Sequence, residues 1–494
     1  MKYFVKITAL VLTLLSVCLS AGCGSGHDDA RIYFELSEKP KTLDAQTASS
    51  DSELLIVRNI YEGLLRYDKD GKISEGACES FEKSGLTYTF KIREGAKWSD
   101  GSELTSADFA FGLRRALDKK TAAPFAARLY AIKNAQSVYE GKAKPSSLGV
   151  ETPDSRTLVL TLEYDDESFE NALTTSVAMP CNEEFFNKCI GKYGLASEYI
   201  ISNGSYSITK WNKEDFGIRI YKNREYKGDF SAQNAAVFIA CREEKTPLEL
   251  LNDNSTDMAF LENSKVGAAR KIGINIQSYQ NICWIMTISN GQNANVRRAF
   301  AGLVSGSVYG GQLPDGFTAA ESVFPDVLGV TGVNGSGVTS YDKEASRKLF
   351  SDYINTLKDK AFPGMVLAYF DNAEIKPAVT AQAGHWQQNF SASVNIKACE
   401  LNDFSKELSG DNSFEFAVFP ITVKSTSVGE YLRNFGVNYS GGDLSEVQAE
   451  LLKDNKVIPF AFENTNIAYT SAIKTLFTQP QNGYVDFSFI IKEE

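Results

Sequence analysis

The sequence predicts a mixed α/β protein of more than one domain. Three observations carry this. Stretches with strand alternation and stretches with helical spacing interleave along the chain. Its 494 residues exceed what a single hydrophobic core usually holds. No repeat period and no low-complexity tract divides them, apart from one short polar stretch after Cys23.

Taken in order, "RIYFELSEKPKTLDAQ" reads as a strand running into a turn marked by proline. "DSELLIVRNIYEGLLRYD" has an acidic start and places Leu55, Ile60 and Leu64 at helical spacing. "LTYTFKIRE" alternates, with Tyr88, Phe90 and Ile92 on one face, and is a half-buried strand. "TSADFAFGLRRALD" opens with a capping box, Thr105 to Asp108, and aligns Phe109, Leu113 and Leu117 on one helical face. "TLVLTLEY" is a second alternating strand. "NGSYSITKWNKEDFGIRIYKN" reads as a hairpin turning near Asn212–Asp215. "NVRRAFAGLV", "DKEASRKLFSDYINTL" and "KPAVTAQAGHWQQNF" read as helices, and "FEFAVFPITV" and "YVDFSFII" as strands. The Gly-rich run from Gly329 to Ala345 lacks phosphate-loop or dinucleotide spacing and reads as a solvated loop.

The start of the chain carries its own signal. Lys2 and Lys6 precede an uncharged apolar run over residues 7–19, too short to span a bilayer, which needs roughly 20 residues. That is a secretory signal peptide, 1–22. It ends at "SAGC", which resembles the lipobox of bacterial lipoproteins, although Ser20 stands where leucine is usual. Cys23 is therefore the expected lipidation site, and 23–30 its polar tether. Removal of the leader takes the net charge from -11 to -13, which argues against a nucleic-acid partner. Six further cysteines, Cys78, Cys181, Cys189, Cys241, Cys283 and Cys399, form no C-x-x-C pair. An exported chain permits disulfides, while the apolar settings suit buried thiols, and the sequence leaves both open.

Catalytic signals are sparse. Beyond the leader the only histidines are His27, in the tether, and His385, in the polar "AGHWQQN". G-x-S-x-G, H-E-x-x-H and the P-loop are missing from the sequence. The densest acidic run, "YDDESFE" from Tyr164 to Glu170, reads as a solvated loop. Binding is the leading function class. A non-enzyme without cofactor or metal is expected.

Several motifs then fall into a recognisable order. "KPKTLDAQ", "NIYEGLLRYDKDGKISEGACESFE", "LTYTFKIREGAKWSDGSELTSADFAFGLRRALD", "LGVETPDSRTLVLTLE" and the Asn-Gly-x-Tyr hairpin "NGSYSITKWNKEDFGIRIYKNREY" resemble family 5 solute-binding proteins of ABC importers. "DKKTAAPFAARLYAIKNAQSVYEGK" is similar to their oligopeptide-binding lipoprotein branch. The resemblance spans nearly the whole chain after the leader and is densest before Tyr226. It implies a two-lobed periplasmic-binding-protein-like clamshell (type II, cluster C-like). An extra domain, 56–164, would be inserted in a first lobe made of 31–55, 165–256 and 465–494. The second lobe would be 257–464. It also implies an extended peptide held by main-chain hydrogen bonds between the lobes, with sequence tolerance as the consequence.

The residues matching the ligand-flanking segments are Ser37, Glu38 and Lys39 on one side and Phe419, Ile421 and Thr422 on the other. Phe111 matches a position where the family often has a cleft aromatic. Packing on its own helix would explain Phe111 equally well. The chain departs from the pattern in two places. Where the family has an aspartate for the peptide amine, counting back from "EYL" gives Lys424. Residues 438–459 also look short against the family's usual helices. The implied partners are a peptide or related small ligand, permease and ATPase subunits, and the membrane through the lipid anchor, with the protein a monomer. A sensory or adhesive surface lipoprotein with the same fold is the alternative.

Overall fold

The computed structural model describes residues 31–493, except 37, 212–216, 230–231, 233, 243, 290, 405–406, 409–413, 424–426, 438, 440, 477 and 480–483. Cys23 and its tether, Ser37 and Lys424 thus lie outside the described residues. An eleven-stranded mixed sheet forms the spine. At one end lie Arg31–Glu35, Ala236–Ala240, Gly217–Lys222 and Tyr206–Lys210; at the other, Phe416–Thr422, Met365–Phe370 and Val394–Cys399. Between them run the two longest strands, Asn275–Ile288 and Val457–Tyr469, paired antiparallel from Asn275↔Tyr469 to Thr287↔Val457. Their outer ends belong to different cores. Ile467 is packed in the core that holds Phe34, Ile239 and Phe487, whereas Trp284, Met286, Ile458 and Phe460 belong to another with Phe300 and Trp386. The molecule is two-lobed, and these two strands join the lobes.

The joining strands are buried on both faces beyond Asn281. Trp284, Met286 and Ile288 point into one core cluster, and Cys283 and Ile285 into the opposite one. Burying each such side chain contributes about 1.5–3 kcal/mol. Register shifts fall between Gln280 and Ile282 and between Trp284 and Ile285. The second lies opposite Pro459–Ala461, so a proline sits inside a central strand at a bulge, where the ladder does without its N–H. Glu463 is wedged beside this joint. Its Oε2 accepts from Trp284 Nε1 at 2.7 Å and its Oε1 from Asn263 Nδ2 at 3.4 Å. Burial, with the charge of Glu374 added and the Trp284 hydrogen bond opposing, pushes the Glu463 carboxyl up to about 7.

A separate four-stranded antiparallel sheet, Cys78–Ser84, Thr87–Ile92, Thr157–Thr161 and Val150–Asp154, sits beside the first lobe and shares its core. Tyr88, Phe90 and Ile92 are buried as the alternation predicts, as are Leu158, Leu160 and Leu162. The helix Ser106–Ala116 starts with its Thr105–Asp108 capping box and buries Phe109 and Leu113. Helices Ala294–Ala301, Lys343–Thr356 and Lys376–Phe390 also form where their spacing places them.

Two elements differ from the sequence reading. The helix that starts at Asp51 stops at Ile60, so Leu64 is buried outside it. Asn203 clamps the chain there: its Oδ1 accepts from Glu62 N and its Nδ2 donates to Glu62 O. Gly204 is required beside this clamp, because a Cβ would come within 2.9 Å of Ile60 backbone atoms. This gives the Asn-Gly-x-Tyr hairpin its physical meaning, with Tyr206 buried and bonded to Phe487 O. The second difference is "YVDFSFII", which is broken into Tyr484–Val485, a 3₁₀ turn Phe487–Phe489 and Ile491–Lys492. Asp486 turns the chain by accepting from Ser488 N, and Asn59 Oδ1 takes the Phe487 N–H.

Candidate binding cleft

A cleft of about 1690 Å³ separates two walls. One wall comes from residues between 124 and 136 and from 164–168 with Asn171, the other from Leu401, Phe404 and Leu408, the strand end 419–422, and residues of 427–434 with Tyr439. Phe125, Tyr130 and Tyr164 face it from the first, and Phe404, Phe419 and Tyr439 from the second. Charged side chains also line both walls, and opposite charges meet across the gap.

Two cross-cleft contacts among the described residues use one short helix, Val428–Arg433, capped by Ser427, whose hydroxyl accepts from Glu430 N at 3.1 Å. Glu430 and Arg433 are three residues apart and share a helix side. Arg128 Nη2 lies 2.7 Å from Glu430 Oε1, and the two side chains are 13% and 12% exposed. Phe125 supports the guanidinium, 5.4 Å from its ring centroid. Arg433 Nη1 donates to Asp166 Oδ2 at 3.1 Å, and its Nη2 to Ser168 Oγ at 2.7 Å. Asp166 is held in place because its Oδ1 accepts from Ser168 N and Oγ. The nearby Tyr164 hydroxyl is pushed up by burial first, then by the Asp166 carboxylate, with Arg433 opposing. Glu430 Oε2 is buried and has no hydrogen-bond partner among the described residues.

The acidic run around Asp166 is therefore a cleft wall and not only a solvated loop. Asp165 reaches outward to Lys83 at 2.8 Å, while Glu167 is exposed along the lining. The residue types gave a signal: an opposite-charge pair at i, i+3 in "VGEYLR" and three acids followed by a serine in "YDDES". Neither is distinguishable from a solvated face without the partner wall.

Of the sequence-derived candidates, Phe419, Ile421 and Thr422 line the cleft. Phe419 is buried and stacks on Phe404, with centroids 5.1 Å apart, and Ile421 is buried in the same cluster. Thr422 is half-buried. Glu38 is exposed and Lys39 half-buried, after the first strand, and neither is among the lining residues. Phe111 packs on Phe186, 5.7 Å away, beside Cys181, Cys189 and Tyr193, and does not line the cleft. Residues 424–426, between the cleft strand and its helix, include Lys424 and are outside the described residues.

The cleft is open to solvent and has room for a ligand. His385 lies elsewhere, 3.1 Å from the Tyr341 hydroxyl and hydrogen-bonded to Asn389, and does not line the cleft. Among the described residues no group of His, Cys, Asp and Glu could hold a metal ion. The six described cysteines are free thiols. No helix among the described residues is long and apolar enough to cross a membrane.

Residues 72–443 match the model of bacterial extracellular solute-binding proteins, family 5 Middle. The chain is 26% identical over 441 residues to the oligopeptide-binding protein OppA of Bacillus subtilis (strain 168), covering 82% of this chain and 79% of that protein. It is 32% identical over 240 residues to the probable deoxycholate-binding periplasmic protein YgiS of Escherichia coli (strain K12), 47% of this chain and 44% of that one. Among solved structures, Haemophilus influenzae OppA in complex with RPPGFSPFR superposes with a TM-score of 0.76 at 20% identity, over 95% of this chain and all of that one.

Proposed function

Because the chain belongs to the family 5 bacterial extracellular solute-binding proteins, we propose that it captures peptides outside the cytoplasm and delivers them to an ABC importer. Cleft size is the observation that carries the peptide assignment. At about 1690 Å³ it exceeds the roughly 300–1,000 Å³ usual for small-molecule sites. A chain of several residues fits that space, and one cleft wall includes part of a strand, Phe419 to Thr422, against which such a chain could lie. Closure would rest on contacts that only the approach of the two walls completes.

The reading extends to the rest of the protein. Lipidated Cys23 would keep the receptor at the membrane, since two acyl chains anchor durably where one does not. Permease and ATPase subunits would receive the ligand from a monomer. The inserted domain 56–164 would provide part of the first wall, and no bond-breaking step is assigned. A second reading has one observation in its favour: the 32% identical relative described as probably deoxycholate-binding, together with the aromatic lining, suits an amphipathic steroid acid. Native mass spectrometry of ligand carried through purification decides between them. Added masses that fragment into amino-acid residues support peptide capture; a single steroid mass, or no enclosed ligand and no peptide uptake, overturns it.

A further inference from the structure

The strand Phe416–Thr422 has two different edges. On one side it pairs antiparallel with Asn275–Ile288 along its whole length, from Ile288↔Phe416 to Ile282↔Thr422. The bonds Val423 N–H to Asn281 O (2.8 Å) and Ser289 N–H to Glu415 O (2.9 Å) fix the phase of that ladder. Alternate residues of an antiparallel strand turn their backbone groups to opposite edges. The backbone groups of Phe416, Val418, Pro420 and Thr422 therefore face the other side.

On that other side Met365–Phe370 pairs in parallel, but only from Leu367↔Phe416 to Tyr369↔Val418. The next donor in the series is the nitrogen of Pro420, which carries no hydrogen. Pairing ends there. Pro420 and Thr422 are half-buried, and both line the cleft. The strand thus presents two acceptors to the cleft, the carbonyls of Pro420 and Thr422, and a single donor, the Thr422 N–H. No hydrogen bond among the described residues occupies them.

We propose that Pro420 is a specificity-determining residue: it frees this edge for the ligand and makes the edge read ligand N–H groups in preference to ligand carbonyls. The inference rests on the peptide reading above. A chain added in either direction places two N–H groups, two residues apart, on the Pro420 and Thr422 carbonyls. One ligand carbonyl meets the Thr422 N–H. The carbonyl that would meet a donor at position 420 finds none. The ligand class is an extended amide chain whose backbone nitrogens are secondary at both positions.

The test uses the full chain and a pool of pentapeptides. The pentapeptide retained most strongly is resynthesised with each amide in turn replaced by an ester, which removes one N–H without adding bulk. Two esters two residues apart are expected to weaken binding about fivefold or more, since each strands a carbonyl in the cleft. Pro420→Ala, which supplies the missing donor, is expected to tighten the unmodified peptide about three- to tenfold. Thr422→Pro removes a donor the fold itself does not use. It should weaken binding about tenfold while leaving the melting temperature within a few degrees. A uniform ester scan, or Pro420→Ala and Thr422→Pro variants that bind like the natural chain, overturns the inference and leaves peptide capture standing. If the natural chain retains no pentapeptide at all, peptide capture itself fails and the inference with it.

Discussion

Replacing Arg128 by methionine should open the cleft. Arg128 and Glu430 come from opposite walls, meet at 2.7 Å, and are both nearly nine-tenths removed from water. The buried Oε2 of Glu430 has no hydrogen-bond partner among the described residues. Removing one member of such a pair typically costs about 3–5 kcal/mol, because the other charge stays buried and uncompensated. Here that cost is avoidable. Separating the walls returns Glu430 to water without unfolding either core. The variant should therefore gain most of this energy as opening. Taking about 3 kcal/mol, the open-to-closed ratio rises by a factor of roughly 100 or more. X-ray scattering of the unliganded variant should show a larger radius of gyration, and peptide affinity should fall in proportion to the lost closed fraction. The double variant Arg128→Met, Glu430→Met removes both charges and should return toward the natural curve. If Arg128→Met lowers the melting temperature yet leaves the scattering curve unchanged, the pair stabilises the fold and does not clasp the cleft.

The other predictions concern the anchor, the joint between the lobes and the ligand amine. Cys23→Ser should release the protein into the soluble fraction or leave an unprocessed precursor; a fully processed, membrane-bound product would contradict lipidation. The Glu463 carboxyl stands at about 7 in the folded chain, above the ordinary 4.5, so folding favours its protonated form. That stabilisation is complete below pH about 4.5 and is lost as pH rises through 7. Glu463→Gln, whose carbonyl can still accept from Trp284, should thus melt like the natural protein near pH 4.5 and at higher temperature at pH 8, by the equivalent of about 2–3 kcal/mol. Equal melting at both pH values would count against it. If Lys424 takes the place of the family's amine-binding acid, as the resemblance implies, N-acetylation of a bound peptide should change its affinity less than about threefold by calorimetry, against the roughly 30-fold or larger loss expected where a buried acid holds the amine. A large loss would show that the amine is read after all.

How much was legible in the sequence depended on which faces of an element meet water. The helix Ser106–Ala116 and the strands around Phe90 and Leu160 each have one wet face, so their period is written in the residues. The longest strands were not recognised. Asn275–Ile288 is buried on both faces where it reads "NICWIMTI", which erases alternation. Val457–Tyr469 carries Pro459, which argues against a central strand until the bulge opposite Trp284 is seen. The break in "YVDFSFII" depends on Asn59, more than four hundred residues away in the chain. The cleft was half legible. Phe419, Ile421 and Thr422 were found through the resemblance, whereas Arg128, Asp166, Glu430 and Arg433 were not, because an ion pair between distant segments leaves no local pattern. Phe111 was equally readable as a packing residue, and its ring packs on Phe186.

In the proposed function a peptide is enclosed by two walls that close upon it. A ligand shifts that equilibrium only through its differential affinity for the closed form. The direct measurement is the radius of gyration of the protein by X-ray scattering, first after stripping of bound ligand and then at saturation with a peptide shown by calorimetry to bind. A smaller radius is expected with peptide, and a larger difference at high salt, where the partly exposed Arg433–Asp166 pair is screened and the stripped protein opens further. Superimposable curves at saturation, with binding confirmed in the same samples, would contradict it.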